Sequence, residues 1–327
     1  MQPVALQPRI ITVDALRGFA LFGILLAHMI YWYSAGPLPG DLYGKYNDIG
    51  SGIVSFMNEI LISGKFFAFF SFLFGLSFYL QMQSMEKRQD NFVLRYGWRI
   101  AILGIIGLIH HAFWRGDILS IYAPLGFLLL PMRKWNSKLI LIIGILFAIN
   151  VPGKLIEVVK FLTTVHPPAG QAPQQGNFDA EGKAYYAIIS QGTLWAVLKD
   201  NWLNLSTKFR FQLDSGRIFI TFGFFLLGMY TGRKRWFENP DESKVVFKKI
   251  CRKSGWIALG TFGVALGMFG ANSLFKLGWD QNPVIGFIFS IFFDILSAAL
   301  VCFYVAGLSM LMYRERWQKI LDRKSVV

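Results

Sequence analysis

Apolar residues arrive along this chain in long blocks, at roughly 15–35, 65–82, 97–114, 117–132, 138–156, 217–233, 254–274 and 284–312. A helix needs about 20 such residues to cross about 30 Å of hydrocarbon, at about 1.5 Å per residue. The pattern predicts an all-α polytopic membrane protein, one membrane domain over 1–327 with about eight transmembrane helices. The moderately apolar stretch 50–63 reads as an interfacial or re-entrant helix. The largest polar interruption, about 157–216, opens with the Pro-, Gly- and Gln-rich HPPAGQAPQQGNFDAEG. It continues as an aromatic segment, Tyr185 to Phe211, which predicts an amphipathic helix lying on the bilayer surface.

Charge orients this set. Arg9 and Arg17 flank the start of the first block, and Lys87, Arg88, Arg95 and Arg99 lie between the second and third. Arg133, Lys134 and Lys138 separate the fourth and fifth, eight basic residues fill Arg233 to Lys253, and five follow from Arg314 to Lys324. These regions alternate with the block count and hold 22 of the 33 Lys and Arg residues. The positive-inside rule then predicts an even number of spans with both termini cytoplasmic and 157–216 on the outer side. The first twelve residues lack a cleavable signal pattern, so the first block is expected to stay as a signal anchor.

Composition agrees with this reading: 54% of the residues are hydrophobic and only 16% charged, too few to cover a soluble domain of this size. A net charge of +14 invites nucleic acid, but topology accounts for it and no nucleic-acid-binding motif accompanies it. Cys251 and Cys302 have no disulfide or metal partner in sequence, and neither HExxH nor CxxC occurs, so no metal is expected.

Ionisable residues inside apolar blocks are costly and mark candidate sites. In the first block Asp14 and Arg17 are three apart on one helix face, close enough to pair. His28 lies eleven residues beyond Arg17, close to the same face and roughly 16 Å along the axis. That stripe puts a guanidinium at the cytoplasmic mouth and an imidazole near the bilayer middle. Gly18 and Gly23 leave the backbone open to another helix or a ligand. The third block carries His110 and His111, about 100° apart, and runs into the polar turn around Asp117. Asp294 lies deep in the last block and requires a His, Arg or hydroxyl partner, whereas Glu59 reads as an interfacial carboxylate.

The opening Arg9…Asp14-x-x-Arg17-Gly18 resembles that of the transmembrane acyltransferases. The stretches Gly23 to His28, Lys65 to Gly75, Gly107 to His110 and Gly116 to Ala123 resemble the YeiB-like bacterial inner-membrane proteins, a family with a domain of unknown function related to those enzymes. The resemblance covers roughly the first 130 residues, with a weaker extension at Gly228 to Arg233. The chain departs from the family pattern at His28, where members often carry Asn, and in ending soon after its eighth block, before the further spans expected of the family. The resemblance implies a multi-pass bacterial inner-membrane enzyme that takes acetyl-CoA or another acyl-CoA as donor. The donor's phosphates would lie near Arg17 and Arg9, with Asp14 and Gly18 also in the cofactor-binding set. His28 or His110 would act as general base or be transiently acylated, Asp117 would orient the acceptor, and Asp294 would raise the basicity of a nearby His. The acceptor would be an envelope sugar or glycolipid at the outer face. Two other readings use the same residues: a transporter or channel with an intramembrane His and Asp relay, and a non-catalytic membrane partner. Acceptor, acyl chain and oligomeric state are not written in these patterns.

Overall fold

The computed structural model describes residues 10–30, 39–44, 48–163, 178–279 and 282–314. Every regular element among them is helical. In chain order these are α1 (Ile11–Ile30), α2 (Gly40–Gly44), α3 (Ile49–Met57), a π-helical turn (Asn58–Ile62), α4 (Phe66–Lys87), α5 (Phe92–Phe113), α6 (Leu119–Met132), α7 (Ser137–Ala148), α8 (Val151–Thr163), α9 (Phe178–Gln191), α10 (Leu194–Leu203), α11 (Leu205–Asp214), α12 (Arg217–Arg233), α13 (Pro240–Phe275) and α14 (Pro283–Met312).

Each of the eight apolar blocks contains a helix. Five apolar segments are long enough to cross a membrane: α1, 49–87, α5, α13 and α14. The pair α7 and α8 makes a sixth if taken as one span, bent by 51°. Helices α6 and α12 are shorter, at 14 and 17 residues. The protein is thus a helical, membrane-embedded chain. The expected single helix over 138–156 is broken because Asn150 takes a left-handed φ of 61° and Pro152, which has no N–H to donate, follows in the first turn of α8. The stretch 50–63 and α4 belong to one apolar segment, 49–87, interrupted by the π turn and by Gly64 at φ 77°. Polar side chains fix the helix starts. Asn91, Asn136 and Asn282 accept the amides of Leu94, Leu139 and Val284, and a proline opens both α13 and α14.

Contacts give the helices their directions. Arg17 meets Ser77 while Phe19 meets Phe66, so α1 and α4 are antiparallel. Gly104 faces Ala123 and Gly97 faces Phe127, so α5 and α6 are antiparallel; Gly144 against Leu227 and Gly223 against Ala148 give the same for α7 and α12. Helices α4 and α12 run parallel at the centre, joined by two aromatic-rich cores. One end of the bundle therefore carries Arg17, Lys87, Arg133 and Arg233. The other carries all three histidines in the described helices. Helices α9 to α11 replace the single surface helix expected over 185–211. Their Tyr185 and Asn201 are buried, and α10 docks on the end of α5.

The closest approach in the bundle is between α4 and α12. A Cβ on Gly75 would lie 1.8 Å from the Phe225 carbonyl oxygen, and one on Gly228 1.9 Å from that of Phe72. Backbone cannot yield there as a flexible side chain could. Gly75→Leu should therefore cost about 3 kcal/mol or more, read as thermal unfolding of detergent-purified protein. Gly260→Ala, with open space around it, should leave stability unchanged or slightly raised.

Candidate functional site

The histidine end of the bundle is built around Asp117, in the short turn between α5 and α6. Its carboxylate side chain is fully buried. Oδ1 accepts the Leu119 amide at 2.9 Å and Oδ2 the Ser120 amide at 3.0 Å, which caps the first turn of α6. The turn can lie this close to α5 because Gly107 has no side chain; a Cβ there would meet the Ser120 nitrogen at 2.4 Å. The same carboxylate receives two further donors. His110 Nδ1 lies 3.1 Å from Oδ1, and Lys208 Nζ, from α11, lies 3.1 Å from Oδ2.

These contacts set the protonation pattern. Burial pushes the Asp117 carboxyl up, but the Ser120 hydroxyl and amide, Lys208 and the Leu119 amide outweigh it and hold the group below its usual range. Burial lowers Lys208, with Asp117 opposing the shift. Against an ionised carboxylate, His110 must donate from Nδ1–H, which leaves the Nε2 lone pair to accept a proton. The His110 side chain is 47% exposed. His111 is the reverse case. It is fully buried, its Nδ1 faces Lys208 Nζ at 3.3 Å, and its Nε2 meets the Asn201 carbonyl at 2.9 Å. An ammonium on one side and a carbonyl on the other require the neutral Nε2–H tautomer, a structural rather than a reactive imidazole.

Around this pair the cap helices are locked down. Asn201 donates to the Ala112 carbonyl at 3.0 Å and accepts from Arg115 Nε at 3.0 Å, and Arg115 also pairs with Asp200. The Arg115 guanidinium sits 4.3 Å from the Tyr185 ring centre. Trp114 joins α5 to α1. Its ring lies edge-on to His28 at 4.9 Å and tilted to His110 at 5.6 Å.

The structure thus gathers His28, His110 and Asp117 around Trp114. His28 is in the last described turn of α1, which begins at Ile11 with Asp14 in its first turn, where a carboxylate suits the helix dipole. The structure departs from the sequence expectation in two places. Asp117 cannot orient an acceptor, since both oxygens are buried and already take four donors. Asp294 meets no histidine among the described residues; its partners are Asn150 at 3.0 Å and Lys154 at 3.5 Å. At the opposite end, Arg17 pairs with Asp14 at 3.0 Å, donates to Ser77 at 2.8 Å and stays 45% exposed. Gly18 beside it faces open space. Arg9 lies outside the described residues. Glu59 is exposed, and its carbonyl accepts from the fully buried Lys65 at 2.6 Å. Among the described residues no three His, Cys, Asp or Glu side chains converge as metal ligands would.

Lys208, Asn201 and Arg115 were not legible as site residues. Lys208 and Asn201 lie in the segment that reads as a surface helix, some ninety residues from their partners, and no local spacing connects them.

No protein-family model matches the chain, and no solved structure does. Along its whole length it is 28% identical to the uncharacterized protein YxaH of Bacillus subtilis (strain 168), covering 79% of that protein. Over 153 residues it is 35% identical to an uncharacterized 39.9 kDa protein of Bacillus acidopullulyticus, a match to 46% of this chain and 42% of the relative.

Two outcomes are expected of the Asp117 centre. Lys208→Met strands a buried carboxylate and should cost about 3–5 kcal/mol; adding Asp117→Asn should recover part of that, as a double-mutant cycle on thermal unfolding would show. Asp117 is held below the usual carboxylate value of 3.8. Its contribution is therefore complete above that pH and lost as pH falls through the lower folded value. The stability gap between the wild type and Asp117→Asn should hold from pH 7 to about 4 and close only below it.

Proposed function

We propose that the chain is an eight-span protein of the bacterial inner membrane that transfers an acyl group from acyl-CoA to a hydroxyl on an envelope sugar or glycolipid. The alternation of helix directions supports the eight spans. It brings the start of α1 and the end of α14 to one end of the bundle, the end rich in Lys and Arg, which the positive-inside rule assigns to the cytoplasm. The histidine centre then faces the outer side.

The observation that carries the reading is a half-exposed imidazole backed by a buried, ionised carboxylate. That is the arrangement of a general base, with the carboxylate fixing the tautomer and stabilising the imidazolium that forms. His110 Nε2 takes the proton of the acceptor hydroxyl as its oxygen attacks the thioester carbonyl. The tetrahedral intermediate collapses, the C–S bond breaks, and His110 returns the proton to the departing coenzyme A sulfur. The donor's phosphates lie at Arg17, whose planar guanidinium suits them. The pantetheine arm follows the α1 face from Arg17 past Gly18 towards His28, roughly 16 Å at the helical rise. Trp114 forms the wall against which the acyl end and His110 meet.

Acetyl-CoA binding to the purified protein and acyl transfer to envelope extracts test this together. Arg17→Ala should weaken donor binding at least tenfold. His110→Ala should leave donor binding intact and lower transfer by about 10²–10⁴-fold. A folded protein that binds no acyl-CoA, or that moves solute across proteoliposomes without any donor, would overturn the assignment.

A further inference from the structure

The mechanism above leaves one large cavity at the histidine end unused. About 590 Å³ in volume, it lies between the start of α4, the α7–α8 break, the α11–α12 junction and α14. Its walls are mostly apolar, with Phe67, Phe224, Phe289 and Phe293 among them. The volume would hold about twenty waters at about 30 Å³ each, but a buried water needs roughly two to four polar partners, and phenylalanine walls supply none.

No ion of either sign is called for. Lys154 lines the cavity and donates to Ser290 at 2.6 Å, with Glu157 at 3.1 Å and Asp294 at 3.5 Å as its counter-ions. Arg217 stacks 4.6 Å from the Phe67 ring centre and is already engaged. Lys65, fully buried, donates to the Glu59 carbonyl at 2.6 Å. Lys154, Arg217 and Lys65 stand against Asp294, Glu157 and Glu59, so the formal charges around the cavity balance.

Two uncharged groups are left over. Asn150 lines the cavity and is only 3% exposed. Its Nδ2 donates to Asp294 at 3.0 Å, which fixes the amide's orientation, since the reverse would set its oxygen against a carboxylate. Asn150 Oδ1 then has no partner among the described residues. Being an acceptor only, it requires a donor. The Ser297 hydroxyl, also in the wall, is buried and equally unpartnered among them. Ser290 and Ser309 on the same helix instead donate to carbonyls of α14 itself, at 2.7 and 2.6 Å. Buried polar atoms left unpaired are costly and rare. An orphaned acceptor and an orphaned hydroxyl beside a large apolar space describe a ligand with a hydroxyl end and a hydrocarbon body.

We propose that this cavity binds an uncharged membrane lipid with a free hydroxyl, of the diacylglycerol class, head first. The lipid hydroxyl donates to Asn150 Oδ1, Ser297 donates to an ester carbonyl, and the upper part of one acyl chain lies against the phenylalanine wall. Ester and phosphodiester oxygens only accept, so they cannot answer Asn150. The inference does not rest on the acyltransferase reading.

Saturable retention of tritiated dioleoylglycerol by the delipidated full-length protein, in a detergent without hydroxyl groups, tests it. Unlabelled dioleoylglycerol should compete. Its methyl ether, which keeps the chains and esters but has no donor, should compete about tenfold less well, the loss of one buried hydrogen bond. Dioleoylphosphatidylglycerol, whose hydroxyls sit on an anionic head, should compete no better than the ether. Ser297→Ala should weaken retention several-fold, and Ser297→Leu, which fills the cavity, should abolish it. Thermal unfolding identifies folded variants, and the competitor series needs only the wild-type chain. Competition by the ether or by phosphatidylglycerol equal to that of dioleoylglycerol would overturn the proposal, as would unchanged retention in folded Ser297→Leu. Absence of saturable retention by the folded wild type would also overturn it and leave the cavity to water.

Discussion

The ion pair between Asp117 and Lys208 is the contact on which the candidate chemistry depends. A carboxylate buried at the end of a bundle is stable only if every oxygen is answered, and here four donors answer it. Two come from the backbone of α6, one from α5 and one from α11. One charge therefore ties the end of α5, the start of α6 and the cap helices into a single unit. The lysine also decides between the adjacent histidines: facing an ammonium and a carbonyl, His111 is held neutral and occupied, while the His110 side chain stays half exposed.

The rest of the bundle serves to bring these elements within reach. Gly75 and Gly228 let α4 and α12 meet backbone to backbone, so two parallel helices form a narrow central wall with the other helices around it. Gly107 lets the α6 turn sit on α5. Interfaces of small residues suit a membrane protein, where association gains little from the hydrophobic effect and depends on close packing. The break at Asn150 has the opposite effect. It turns α8 away from α7 and sets Lys154 beside Asp294.

Much of the fold was legible because apolar block length is a strong signal: every predicted block holds a helix. The Asp14–Arg17 pair was legible for the same kind of reason, since three-residue spacing on a helix fixes proximity. What was not legible was anything that depends on contacts distant in sequence. Lys208 reads as one more basic residue in an outer loop, and only the docking of α10 and α11 turns it into the partner of Asp117. Asp294 was recognised as needing a partner, but Asn150 and Lys154 are not the His, Arg or hydroxyl group expected. The actual partners come from the α7–α8 break, which the apolar run 138–156 conceals because Asn150 and Pro152 only slightly dilute its hydrophobicity.

The proposed route joins a donor region at Arg17 to a base at His110 along the α1 face that carries Arg17, Gly18 and His28. Photolabelling with a diazirine-bearing acyl-CoA, followed by peptide mapping, tests that route most directly. Labelling is expected along α1 and in the His110–Asp117 segment, removed by excess acetyl-CoA. Labelling confined to α13, or insensitive to acetyl-CoA, would contradict it.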